Sequence, residues 1–261
     1  MPTASNGDVS LYYEVDGRGE PVVFVSEAGL GGWSWGWQHA ALPGPFRTVV
    51  WDLRGTGRSD APPGPYDVAT LVADLTSILS AIDARRAHVV GAGLGGAVAL
   101  RAARDSTRVE SLALLGTGAR GADFDLDALY APPHDREALR ETLEATLSAD
   151  FRDAQPDVLG GIVDWRADGD AAEAGFRAQT AALDGFDATD WGYEVTVPAL
   201  VVHGADDGIV PRESGRALAD ALPRGAFLSI PDAGHLAHVE RSRAVNDHLL
   251  GFLEAQAHDA D

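Results

Sequence analysis

Residues 89–100, VVGAGLGGAVAL, run from an apolar stretch into a glycine-dense turn and out into a helix-forming segment. A strand presents an exposed nucleophile to an active site in this way, with Ser, Cys or Asp at the tip of the turn. The tip here is Gly93, in Gly91-Ala92-Gly93-Leu94-Gly95. Glycine has no atom with which to attack an acyl carbon, so no acyl-enzyme forms on this residue. Removing the nucleophile of such a site lowers turnover on the order of a millionfold. Glycine brings backbone freedom instead: the turn strains a central residue that carries a side chain by about 1–3 kcal/mol, and glycine least.

The elements around this turn are legible from hydrophobic patterning. Residues 9–15 and 21–26 (VSLYYEV, PVVFVS) flank Asp16-Gly17-Arg18-Gly19 and read as paired strands. RTVVWDL at 47–53 is a further strand, followed by the polar glycine loop RGTGRSDAPPGP. From Asp67 to Ile82, apolar residues at Val68, Leu71, Val72, Leu75, Ile78, Leu79 and Ile82 form one helical face. Strands at HVVGAG, 109–116, 197–204 and AFLSIP then alternate with helices at about 95–104, 212–221 and 241–257. Such alternation predicts an α/β fold, a mostly parallel central sheet with helices on both faces, because parallel neighbours need crossover connections.

Between 118 and 190 the alternation stops. DREALRETLEATLSADF, PDVLGGIVDW and DAAEAGFRAQTAALDGF each fit a helix, with prolines as punctuation. The expected organisation is a core of residues 1–117 and 191–261 with a helical cap, 118–190, inserted over the sheet edge.

Five segments, in order, carry a resemblance: PVVFVSEAGLGGW, WDLRGTGRSDAP, GAGLGG, HGADDGIVP and PDAGHLAHVE. Together they resemble the α/β-hydrolase family, in its esterase, lactonase and haloperoxidase branch, over nearly the full chain. The resemblance implies a nucleophile–acid–base order along the sequence. It places the acid on Asp207, with Asp206 as rival one residue earlier, and the base on His235. An imidazole with a carboxylate on one ring nitrogen is a general acid–base device whatever the family. His203, His238 and the other histidines read as structural. The family tends to carry His-Gly after the strand matched by VVFV, where this chain has Ser26-Glu27-Ala28-Gly29. The oxyanion-hole positions are Leu94, Glu27 and Ala28. A Glu27 carboxylate pointing inward would oppose the charge such a hole must hold, and Glu27 is also a candidate second acid or base. The triad is therefore degenerate at its nucleophile, and the oxyanion loop is a second departure that bears on the same mechanism.

Ser26 is the nearest substitute hydroxyl by topology, with Ser59 and Thr56 further off and readable as ordinary loop hydroxyls. Trp33, Trp35 and Trp37 crowd the following loop, and at alternate positions they cannot share one helical face. Ser26, Trp33 and Trp35 are candidate substrate-binding residues, core packing being the alternative for the tryptophans.

Composition bounds the partners. The 261 residues hold 40 acids and 20 bases, all of the bases Arg, for a net charge of -20. That charge disfavours nucleic acid and anionic membranes. Acid spread along the whole chain reads as a surface kept soluble in concentrated salt, an ordinary acidic protein being the alternative. The absence of cysteine excludes disulfides and thiolate chemistry. The scattered histidines do not argue for a metal, no cofactor is called for, and the N-terminal segment lacks an export signal, which predicts a cytoplasmic location.

The functional expectation is an enzyme acting on a small, partly apolar molecule through noncovalent His-Asp acid–base chemistry, by water activation at an ester- or lactone-like bond or by proton abstraction. The alternatives are a catalytically silent binding protein of hydrolase ancestry and an engineered, nucleophile-less serine esterase.

Overall fold

A computed structural model of the chain describes residues 2–42 and 44–257. Its first part comprises β1 (Thr3–Asn6), β2 (Val9–Gly17), β3 (Glu20–Val25), α1 (Gly36–Ala41), β4 (Phe46–Trp51) and α2 (Val68–Ala81). The middle holds β5 (Ala87–Ala92), α3 (Leu94–Asp105), β6 (Val109–Leu115), α4 (Arg136–Thr146), α5 (Ala149–Ala154), α6 (Pro156–Gly169) and α7 (Glu173–Thr180). The last part is β7 (Ala199–Gly204), α8 (Arg212–Ala221), β8 (Gly225–Ile230), α9 (Ala237–Glu240) and α10 (Ser242–Ala257). The strands form one eight-stranded sheet in the order β1-β2-β4-β3-β5-β6-β7-β8. It is parallel from β4 through β8, and β2 runs antiparallel to both β1 and β4. This is the mostly parallel α/β architecture that the alternation of elements predicts.

The expected pairing of 9–15 with 21–26 does not form. Instead β4 lies between the two strands, antiparallel to β2 (Tyr13 opposite Trp51) and parallel to β3 (Val22 opposite Thr48). Val22, Val23, Phe24 and Val25 are all fully buried, so β3 needs neighbours on both edges and cover on both faces. A hairpin with the half-exposed β2 supplies neither. The first expected cap helix, 135–151, is also broken. Leu147 is extended, and Ser148 starts α5 by accepting the Phe151 amide.

Alternation along β3 sends Val23 and Val25 to the face covered by α2 and α3, and Val22 and Phe24 to the face covered by α10. A third apolar cluster joins Leu139, Leu143, Leu159 and Ile162 of the helical segment to Leu30 and Leu236 in the loops above the sheet and to Val239 of α9. Of α2, Leu71, Leu75, Ile78 and Leu79 are buried, and Asp67 caps it by accepting the Thr70 amide at 2.7 Å. Among the described residues of 118–190 every regular segment is helical.

Candidate active site

Ligands of open α/β sheets bind outside the carboxyl ends of the strands. Four loops meet there, after β3, β5, β7 and β8, and each brings one residue singled out from sequence. The turn after β5 is tight: a β-carbon on Gly91 would come within 2.3 Å of Gly95 O, and one on Gly95 within 2.1 Å of Val25 O. Between them Gly93 takes φ 48° and ψ -112°, and α3 begins at the next residue.

The space above Gly93 is filled by Glu27. Its Oε1 accepts the amides of Ala28 (2.6 Å) and Leu94 (2.9 Å), so those two N–H groups converge on one point and a resident carboxylate oxygen occupies it. The Leu94 amide opens the 12-residue α3, whose N-terminal end favours negative charge. Glu27 Oε2 lies 3.0 Å from His235 Nε2. On the other side of the ring, His235 Nδ1 lies 3.0 Å from Asp207 Oδ2. Asp207 also takes the amides of Ile209 and Val210 and faces His203 Nε2 at 3.1 Å. Asp206 is exposed and takes no part. The loop bearing His235 is fixed by Glu240, which accepts the amides of Gly234 (2.5 Å) and Ser148 (3.0 Å).

Both ring nitrogens of His235 face carboxylates, an arrangement only the doubly protonated ring satisfies by donating twice. Burial works against that charge. The Asp207 and Glu27 carboxylates outweigh it and push the His235 pKa up to about 10. Burial likewise opposes the Asp207 charge, but His235 and His203 hold that carboxyl well below its usual range. The side chains of Glu27 and His235 are each 1% exposed, so the triplet is sealed from solvent. Neighbouring His238 behaves oppositely. Burial, and then the charge of His235, lowers its pKa to about 3, and it stacks neutral on Trp35 with ring centroids 4.6 Å apart.

The remaining candidates divide. Ser26 is fully buried, its hydroxyl has no partner among the described residues, and it makes no hydrogen bond to His235. Ser59 donates to Asp52 O and Thr56 accepts from Gln179, so both hydroxyls hold loops together. Trp35 is fully buried against Phe24 and His238. Trp35 thus packs in the core beside Val22 and Phe24, the alternative that the sequence left open for it. Trp33 lines a cavity of about 580 Å³ together with Trp165, Gly32, Asp52 and Asp168, none of them a member of the Glu27–His235–Asp207 triplet. Trp37 meets Trp165 edge-on. Among the described residues no group of His, Asp and Glu is arranged to hold a metal ion, and no helix is long and apolar enough to cross a membrane.

A strand–turn–helix at the sheet's centre, with an acid after β7 and a histidine after β8, defines an α/β-hydrolase-type site. The chain belongs to the α/β-hydrolase fold family, whose model matches residues 21–242. It is similar to "Putative carbamate hydrolase RutD" of Variovorax paradoxus, 33% identical over 93% of this chain and 96% of the relative. It is also similar to "Putative non-heme bromoperoxidase BpoC" of Mycobacterium tuberculosis, 31% identical over 94% and 98%. Among solved structures, the enol-lactonase from Burkholderia xenovorans LB400 superposes with a TM-score of 0.87 at 28% identity, over 97% of this chain and all of that one.

Sequence reasoning did not foresee that Glu27 would occupy both amides. The signal was the co-occurrence of Glu27 with a glycine at 93, two departures that fit only as a pair. Gln179 and Asp170, which reach the Glu27 loop from the helical segment, carry no motif by which they could have been found.

Proposed function

We propose that this protein is a noncovalent acid–base enzyme that moves a proton on a small, partly apolar molecule, with Glu27 as base and His235 as acid, held by Asp207. The observation that carries this reading is the Glu27–His235 contact at 3.0 Å, made while Glu27 Oε1 sits between the Ala28 and Leu94 amides. Between the two chemistries expected from sequence, this geometry favours proton abstraction over hydrolysis. A carbonyl oxyanion would need the two amides that Glu27 already fills, and an imidazolium cannot take a proton from water. The direction of transfer thus reverses the role drawn from sequence: the carboxylate accepts and the imidazolium donates. Asp207 keeps the ring oriented and charged between turnovers. Kinship with hydrolases supports chemistry on a small molecule but does not fix the reaction.

One observation favours a second reading, a binding protein without chemistry: Glu27 and His235 are only 1% exposed and satisfy one another. An exchange assay separates the two. Neutral lactones and carbonyl compounds with acidic C–H bonds would be incubated with the protein in D2O and deuterium uptake followed by NMR. The enzyme reading expects uptake that disappears in both Glu27→Gln and His235→Ala. Uptake that survives either change, or none across the panel while ligands still bind, would leave the binding reading.

A further inference from the structure

The loop that carries Glu27 is held from above by residues 170–179 of the helical segment. Ala171 N–H donates to Gly29 O at 2.8 Å, and Gly29 N–H donates to Gln179 Oε1 at 2.7 Å. Asp170 Oδ1 accepts the Gly31 amide at 3.2 Å and the Trp33 indole N–H at 2.7 Å. Asp170 is itself paired with Arg166, both side chains 4% exposed. Gln179 is fully buried and its amide is fully engaged, since Nε2 donates to Arg54 O (2.7 Å) and Thr56 Oγ1 (2.6 Å). One side chain therefore joins the loop after β3 to the loop after β4.

Gly29 is the pivot of this grip. It adopts φ +78°, and a β-carbon there would come within 2.6 Å of the Phe176 ring. The Leu30 amide donates to Glu27 O at 3.1 Å, closing a turn over 27–30 with Gly29 inside it. Both peptide faces of Gly29 are thus set by the helical segment, two residues from the side chain that reaches His235.

We infer that Gln179 is a positioning residue, fixing the Glu27 carboxylate against His235 by holding the Gly29 peptide. The inference rests on the acid–base reading of that pair. It also assigns the helical segment a role beyond cover: residues 170–179 are the mould in which the base is set. A buried amide left without its acceptor is unfavourable enough to move a four-residue turn.

The test reads the ring of His235 by NMR across pH, a signal that loss of packing at Gln179 alone would not move. Gln179 does not touch His235. The charges that face the ring from other elements, Asp207 and His203 on the β7 side and His238 on α9, stay unchanged in every variant, as does the Arg166–Asp170 pair. In the unaltered chain the midpoint is expected well above the ordinary imidazole range, at about 10. Glu27→Gln sets the scale and lowers it by about one pH unit or more. Gln179→Leu, which adds no charge, is expected to lower it by at least half as much. If Glu27→Gln moves the midpoint and Gln179→Leu does not, Gln179 is structural only and the inference is overturned. If Glu27→Gln itself has no effect, the acid–base pairing is wrong and the inference falls with it. Should Gln179→Leu fail to fold, Gln179→Asn, too short to reach Gly29, is subject to the same comparison.

Discussion

Glu27 stands where a side chain on residue 93 would begin: a β-carbon built on Gly93 would lie 1.4 Å from Glu27 Oε2 and 2.1 Å from its carboxyl carbon. The two residues exclude one another's alternatives. A side chain at 93 and Glu27 in this position cannot coexist, so the glycine and the inward carboxylate depend on one another.

Gly93→Ser should therefore fail to create an esterase and should destabilise the fold. The positive φ alone contributes about 1–3 kcal/mol, and displacing Glu27 from its two amides adds to it. Removing the Glu27 side chain relieves the collision, so Gly93→Ser combined with Glu27→Gly should be more stable than the sum of the single changes. A double-mutant cycle by urea denaturation measures the coupling, and strict additivity would contradict mutual exclusion.

Asp207→Asn leaves a buried imidazolium with one charged partner instead of two. Breaking a buried pair in this way costs about 3–5 kcal/mol, and the variant should unfold at markedly lower denaturant. Asp206→Asn, on an exposed side chain, should be neutral within about 0.5 kcal/mol.

Stability should fall on the alkaline side. The folded pKa of His235 is raised above its ordinary value of 6.5 to about 10, so its contribution is complete below about pH 6.5 and is lost as pH rises towards 10. The slope approaches about 1.4 kcal/mol per pH unit in that window. Asp207 has the opposite sign. Its pKa is depressed from 3.8, so its contribution is present above about pH 4 and lost only in stronger acid. Denaturation at pH 6, 8 and 9.5 reads the alkaline limb, which should flatten in His235→Gln.

His238→Phe should be tolerated or stabilising by about 1 kcal/mol. Both ring nitrogens of His238 are buried without partners among the described residues, and a phenyl ring keeps the stacking on Trp35 while removing the unpaired polar atoms. A melting temperature several degrees lower would show that the imidazole has a partner of consequence.

We also propose that the acidic surface is an adaptation to concentrated salt. With 40 acids against 20 arginines, screening by molar KCl should raise the melting temperature, and a flat response would remove the idea.

Much of the fold was legible because the buried strands are continuous apolar runs bounded by glycine and polar turns. Val22–Val25 and the stretch into Gly93 read directly, and α8 occupies the very residues, 212–221, expected of it. The order of the first strands was not legible, since a tight turn at 16–19 says where the chain reverses and not which strand comes to lie alongside. Asp207 and His235 were indicated by the family resemblance of their loops, and their side chains do meet, at 3.0 Å. The direction of the Glu27 side chain could not be read, because it depends on an empty space created 66 residues later in the chain. Gln179 was invisible for a related reason: its three partners lie 123 to 150 positions away and involve mostly backbone groups.

The carboxylate lodged on the Ala28 and Leu94 amides also bears on how proteins of this kind are discovered. Fluorophosphonate and boronate reagents need an attacking hydroxyl and an empty pair of amides, and this chain offers neither. A chemoproteomic survey by covalent labelling would pass over it in silence, and would count as dead a site that, on the reading proposed above, works without any covalent step.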